Sequence, residues 1–133
     1  MKRVVVDASA LAAVIFQEPE ADAVCERLDG ALLYAPTLLT FELASTALKK
    51  ARRHPADAAK ILSALMLALD GRWDINWQEV QPADVALMAH ATGLSAYDAS
   101  YMWLAGSLGA DLVTLDARMA GASESLRADS ISV

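Results

Sequence analysis

Short apolar runs alternate along this chain with longer segments of helical periodicity. The runs that predict strands are 4–6, 32–35, 75–77 and 112–115, with 130–133 as a last edge strand. The segments that predict helices are 8–16, 18–29, 37–53, 55–69, 82–91 and 95–108, and a short helix that begins at residue 117. Fully apolar runs such as 4–6 are typical of strands that are covered on both faces. The alternation therefore predicts an α/β fold in which helices enclose a mostly parallel sheet.

Length and composition indicate one ordinary domain that spans residues 1–133. A chain of 133 residues buries enough surface for a core without disulfides or structural metals. Cys25 is the only cysteine, so no intrachain disulfide can form. Asp7 interrupts the first apolar run, which excludes a secretory signal of the usual kind, and the apolar tract 61–69 is too short to cross a bilayer. We expect a cytoplasmic protein.

The formal net charge of −6 argues against a protein that coats nucleic acid, because such binding depends on many phosphate contacts. It does not exclude an enzyme that cuts nucleic acid with the help of bound cations. One basic strip stands out, and it consists of Lys49, Lys50, Arg52, Arg53 and His54. This strip fits either a solvated helix C-terminus, where cations complement the dipole, or a surface that contacts RNA.

Four acidic residues lie at positions where a carboxylate either caps a helix or holds a metal ion. They are Asp7, Glu42, Asp98 and Asp116. Asp7 and Asp116 each close a predicted strand, and the carboxyl ends of parallel strands are the usual ligand site of such sheets. At ~4 Å and an effective dielectric of about 20, each like-charged pair costs roughly 4 kcal/mol. If the fold gathers all four, a bound cation or a bound proton must compensate them.

Each acid also has a simpler interpretation. Asp7 and Asp116 suit the N-cap position of a following helix, and Asp98 completes an S-x-x-D capping box. Glu42 lies in a narrow polar stripe on a helix that is otherwise apolar, which fits either a helix that lines a cleft or a dimer contact that leaves the stripe in water.

Two hydroxyl groups lie near these acids in the sequence. Ser9 follows Asp7 by two positions, and Thr114 precedes Asp116 by two. Either hydroxyl could orient a carboxylate or a water molecule, and Thr114 would share a side with Asp116 if the strand continues. The sequence has no Cys-His cluster for zinc and no phosphate-binding glycine loop.

Four segments, taken in order, resemble the PIN domain family, specifically the VapC-type toxins of bacterial and archaeal toxin–antitoxin pairs. The segments are VVVDASAL (4–11), FELA (41–44), LSAYDASY (94–101) and LVTLD (112–116). The resemblance implies a three-layer α/β/α sandwich with a central sheet of four to five short strands. It also implies that the four acids bind Mg²⁺ or Mn²⁺, and that Ser9 and Thr114 support them.

The same resemblance implies a function. Members of this family are metal-dependent endoribonucleases that hydrolyse RNA, usually dimerise, and are blocked by an antitoxin protein that tethers them to operator DNA. The alternative is a non-catalytic PIN-like scaffold that binds RNA or a protein partner. Two departures are visible: Ser45 stands where an asparagine is common, and Met119 lies where some relatives have a further acid. The first puts fine positioning of the substrate or water in doubt, and the second removes support for a fifth carboxylate ligand.

Overall fold

The strands of the structure, a computed structural model, are β1 (Arg3–Val6), β2 (Leu32–Pro36), β3 (Ile75–Gln78) and β4 (Asp111–Val113). The structure describes the backbone of residues 1–131 and the side chains of residues 1–126. Within this part of the chain the strands form one sheet in the order β3-β2-β1-β4, and every neighbouring pair is parallel. All carboxyl ends therefore lie at one edge of the sheet.

Strand β1 lies in the middle of the sheet, and this sets the position of Asp7. Val4 pairs with Leu33 of β2 on one side and with Asp111 of β4 on the other. Val4, Val5 and Val6 have no exposed surface, as expected for a strand with helices on both faces. The residue after β1 consequently emerges at the centre of the carboxyl edge.

Helices enclose the sheet in an α/β/α arrangement, as predicted. They are α1 (Ala8–Ile15), α2 (Ala21–Leu28), α3 (Leu38–Arg53), α4 (Ala58–Leu67), α5 (Pro82–Thr92), α6 (Ala96–Leu108) and α7 (Ala117–Ile131). Helix α6 packs on β1, β2 and α5, whereas α1 packs on α2 and α3. A short 3₁₀ turn, Pro55–Asp57, precedes α4, and an irregular turn, Ala68–Arg72, follows it.

Two predicted boundaries and one predicted strand are wrong. The strand predicted over 112–115 ends at Val113, because its partner β1 also ends there and leaves Thr114 no neighbour to pair with. The helix predicted over 18–29 begins only at Ala21, after a turn that contains Pro19. Ser130 and Ile131 of the predicted edge strand belong to α7, and residues 132–133 lie outside the described part.

The apolar tract 61–69 is mostly a surface feature. Leu65 is buried, but Met66 and Leu67 are 68% and 54% exposed. An ordinary core helix would bury most of these side chains, so this tract presents apolar surface to the outside. No helix in the described residues is long and apolar enough to cross a membrane.

Candidate active site

Asp7 is buried at the centre of the carboxyl edge, and three local donors hold its carboxylate. It follows β1 and caps α1, and its side chain is only 3% exposed. Its Oδ1 accepts hydrogen bonds from the backbone N–H of Ala10 at 3.0 Å and from the hydroxyl of Ser9 at 2.8 Å. The hydroxyl of Thr114 donates to Oδ2 at 2.5 Å. These donors hold the carboxylate in one orientation and partly replace the water that it loses.

The hydroxyls of Ser9 and Thr114 also join the end of β1 to the end of β4. Thr114 Oγ1 accepts from the backbone N–H of Asp116 at 3.0 Å, and Ser9 Oγ accepts from that of Leu115 at 3.0 Å. The two hydroxyl oxygens lie 3.4 Å apart. The turn after β4 is thus fixed against Asp7, although β4 itself ends before Thr114.

Asp116 lies on this turn and acts as a helix cap. Its Oδ1 accepts from the backbone N–H groups of Arg118 and Met119, at 2.8 and 3.2 Å. Capping leaves the carboxylate partly exposed, and its charge still reaches Asp7, whose pKa it helps to raise. The two interpretations offered by the sequence, a cap and a member of an acidic group, are therefore compatible here.

Glu42 reaches the same region from α3. Its Oε1 accepts a hydrogen bond from the hydroxyl of Tyr101 on α6, and Tyr101 itself is 1% exposed. Glu42 is therefore not a solvated surface residue, and its polar stripe faces the acidic region at this point. The sequence analysis did not predict this hydrogen bond between Tyr101 and Glu42. The available signal was a hydroxyl-bearing ring three positions after Asp98 in an otherwise apolar stripe.

Asp98 lies in the first turn of α6, where the hydroxyl of Ser95 caps the helix by accepting from the Asp98 N–H at 3.1 Å. Its side chain is partly buried, and its charge contributes to the raised pKa of Glu42. Within the part of the chain that the structure describes, no hydrogen bond engages the Asp98 carboxylate itself. Of the four acids, Asp98 has the side chain most available to an added ligand.

Two of the four carboxylates, those of Asp7 and Glu42, have raised pKa values. Burial is the main cause that raises the pKa of Asp7, and the charge of Asp116 adds to it against the opposing hydrogen bonds. Burial likewise raises the pKa of Glu42, and the charges of Asp98 and Asp7 add to it against the bond from Tyr101. The pKa of Tyr101 rises far above its ordinary value through burial and through its contact with Glu42. Each acid therefore perturbs, or is perturbed by, at least one other.

The geometry nevertheless stops short of a ready-made metal centre. Among the described residues, no group of three His, Cys, Asp or Glu side chains is placed to hold a metal ion. The fold brings the four acids within electrostatic range of one another but not into a closed ligand shell.

The two positions at which the sequence departs from the family, and the basic strip, lie outside this group of acids. Met119 is buried in the core, and Ser45 is exposed on α3. The basic strip runs along the end of α3 to its C-cap, His54, and Lys50 in this strip pairs with Glu18 at 2.9 Å. This ion pair gives Lys50 a local partner, and the other four residues of the strip are exposed.

Comparisons with known proteins agree with this architecture. The family model of the PIN domain matches residues 4–124. The crystal structure of PAE2754 from Pyrobaculum aerophilum is similar, with a TM-score of 0.72 and 27% identity over 99% of this chain and 97% of that one. The crystal structure of VapC20 from Mycobacterium tuberculosis, a toxin that cleaves the sarcin-ricin loop, is similar with a TM-score of 0.62. Its identity is 16% over 90% of this chain and 94% of that one. The comparison with curated proteins found no match. Since the family model covers nearly the whole chain, this protein belongs to the PIN domain family.

Proposed function

We propose that this chain is a divalent-cation-dependent endoribonuclease that hydrolyses RNA phosphodiester bonds. PIN domains are generally nucleases, which gives the proposal its starting point. The observation that carries it for this chain is the convergence of four carboxylates from separate elements on one edge of the sheet, with Asp7 buried there. Such a group is costly without a cation, because burial and mutual repulsion both disfavour the charged forms.

The donor set suits Mg²⁺ or Mn²⁺. Both ions prefer hard oxygen ligands, and Mg²⁺ is commonly held by one or two carboxylates together with water molecules. A site of that kind does not require three carboxylates in direct contact, so the lack of a three-acid cluster in the described residues is compatible with it. Asp98 and Glu42 have carboxylate oxygens that no described donor engages, and Asp7 and Asp116 would complete the negative field around the ion.

The roles of the chain's own residues follow from their contacts. When bound, the ion would polarise the scissile phosphate and the attacking water. Asp7 is held in place by Ser9, Ala10 and Thr114, so that its charge is fixed before a substrate arrives. Preorganised charge of this kind costs no rearrangement during the reaction. We assign the four acids to binding the ion and orienting its water, and none of them as the sole general base.

Repulsion also explains why the reaction would need the ion. An RNA phosphate that approaches four carboxylates meets like charge, and the whole chain carries a formal net charge of −6. The exposed cations of the basic strip, Arg52 and Arg53 among them, are a candidate surface for the RNA backbone away from the acids.

The test uses one labelled RNA and a DNA of the same sequence, each with Mg²⁺, with Mn²⁺ and with a chelator. We expect cleavage of the RNA only in the presence of the metal. Asp7→Asn and Asp98→Asn should each abolish cleavage and keep the parent's circular dichroism spectrum. Asp74→Asn is the matched control, because Asp74 is exposed and lies outside this group of acids. Cleavage by Asp7→Asn or Asp98→Asn at the parent's rate would exclude the assignment.

We further propose that the nuclease acts in the cytoplasm as the toxin of a toxin–antitoxin pair. The fold shared with a VapC toxin supports this proposal. Its partners would be a cognate antitoxin and a second copy of the chain, with DNA reached only through the antitoxin. The exposed apolar side chains around Met66 offer surface for one of these contacts. Arrested growth on expression, relieved by the product of a neighbouring reading frame, would support the toxin role, and light scattering would test the dimer.

A second candidate is a PIN-like scaffold that binds RNA or a protein without cutting. The observation that favours it is the lack of a three-acid metal cluster among the described residues. A scaffold would bind the labelled RNA equally well with Mg²⁺ and with chelator and would leave it intact. The metal-dependent assay therefore separates the two candidates.

A further inference from the structure

Tyr101 brings a hydroxyl group into the buried face of α6. Its side chain is 1% exposed, and its helical neighbours Met102, Leu104 and Ala105 are apolar and buried. A phenylalanine would fill the same space without a polar atom. Because a buried hydroxyl is costly unless it is paired, the partner of this group accounts for its presence. That partner is Glu42, which lies 59 positions away in the sequence.

The hydrogen bond runs in one direction only. An ionised carboxylate accepts and cannot donate, while a neutral phenol has one proton to give. Tyr101 therefore donates to Oε1 of Glu42, and the bond gains strength from the charge on its acceptor. Among the described residues no donor engages the second oxygen, Oε2. One oxygen of Glu42 is fixed by the protein, and the other remains for a ligand.

We propose that Tyr101 is a positioning residue that holds the carboxylate of Glu42 in the orientation in which its second oxygen binds a divalent cation or the water of that cation. The inference rests on the proposed function, since it concerns the same group of acids. It goes beyond that function by assigning a role to a residue outside the acidic quartet. Tyr101 joins α6 to α3, so it also couples the position of Glu42 to the helix that carries Asp98.

A purely structural role would have a different signature. If Tyr101 only supports the core, its hydroxyl contributes to stability and has no influence on affinity for the cation. The variant Tyr101→Phe distinguishes the positioning role from the structural role, because it keeps the ring and removes the oxygen. Tyr34→Phe is the matched control: Tyr34 packs against the core from β2, and no hydrogen bond among the described residues joins it to any of the four acids.

The experiment measures Mn²⁺ affinity by titration calorimetry on the intact chain, without RNA. We expect Tyr101→Phe to weaken Mn²⁺ binding by about 10- to 100-fold, the usual effect of removing a group that orients a ligand. Tyr34→Phe should bind as the parent does. In a Glu42→Gln background the same Tyr101→Phe change should weaken binding by less than about twofold, because a residue that acts through Glu42 has nothing left to orient.

The outcomes separate this inference from the function on which it rests. If the parent binds Mn²⁺ and Tyr101→Phe binds it equally well, the positioning role is excluded while the nuclease proposal stands. If Tyr101→Phe weakens binding by the same factor with and without Glu42, the residue does not act through Glu42 and the inference is also overturned. If the parent itself binds no Mn²⁺, the proposed function and this inference fail together.

Discussion

Replacing Asp7 with asparagine should stabilise the metal-free protein and at the same time remove its activity. Asp7 is 3% exposed, and burial together with the charge of Asp116 raises its pKa. An asparagine oxygen can still accept from Ser9 and from the Ala10 N–H, and Thr114 can accept from the new amide. The substitution thus removes a buried charge and keeps most of its hydrogen bonds.

The magnitude follows from proton linkage. Below the ordinary aspartate pKa of about 3.9, Asp7 is protonated in both the folded and the unfolded protein, so parent and variant should differ by no more than about 1 kcal/mol. Above that pH the unfolded chain releases the proton while the folded chain keeps it up to its raised pKa. Stability from this group is therefore present at low pH and is lost as pH rises, at up to about 1.4 kcal/mol per pH unit.

The assay is urea unfolding at pH 4, 5, 6 and 7 in the presence of a chelator. We expect the unfolding free energy of Asp7→Asn minus that of the parent to increase with pH and then to level off above the raised pKa. Asp74→Asn serves as the control, since an exposed carboxylate should give a difference that changes by less than about 0.5 kcal/mol. A difference for Asp7→Asn that stays flat or decreases from pH 4 to pH 7 would refute the reasoning.

Addition of the cation should reduce the stability advantage of Asp7→Asn. A ligand at 100 times its dissociation constant stabilises the folded state by about 2.7 kcal/mol, and only the parent should gain this amount. If Asp7→Asn gained as much from Mn²⁺ as the parent does, Asp7 would have no part in the cation site.

Two further predictions concern a support of Asp7 and the end of α6, and both use the same urea assay. Thr114→Val should lower the unfolding free energy by about 1.5–3 kcal/mol, because it removes the hydroxyl that donates to Asp7. Thr114→Ser keeps a hydroxyl and should recover most of that loss. Equal losses in the two variants would contradict this account. Gly109→Ala should destabilise by about 1–2 kcal/mol, since Gly109 ends α6 with a φ of +61°. Gly106→Ala, at an open position inside the same helix, should instead stabilise by about 0.5–1 kcal/mol, and the same sign for both would be inconsistent with the backbone argument.

Much of the fold could be predicted because its signals are local. The fully apolar run 4–6 required a strand covered on both faces, and the structure has it at the centre of a parallel sheet. Leucine- and alanine-rich segments predicted the helices, with errors of a few residues at their ends. The extension of β4 to 115 was wrong because a strand ends where its partner ends. That partner, β1, is more than 100 positions away in the sequence.

The positions of the acids were only partly predictable, for the same reason. The predicted strand ends placed Asp7 and Asp116 at the same end of the sheet. The sequence could not show that β4 lies directly beside β1. This adjacency lets Thr114 reach Asp7. Had β4 instead paired with the outer side of β3, two strands would have lain between these residues, which corresponds to about 14 Å at the usual strand spacing. The same sequence motifs around Asp7 and Asp116 would then have been too far apart to form one site.

The sequence pattern draws attention to Tyr101 but could not identify Glu42 as its partner. Helical periodicity places Tyr101 on the same face as Asp98, because residues three apart are neighbours on a helix. It says nothing about which side chain of another helix meets that face. An apolar stripe that contains one tyrosine is satisfied by any buried acceptor, including a backbone carbonyl. The acceptor here is a carboxylate already repelled by two others, so the phenol offsets part of a cost that the tertiary fold creates. A hydroxyl that only completed the core would have no reason to lie against the one acid that α3 contributes to this edge.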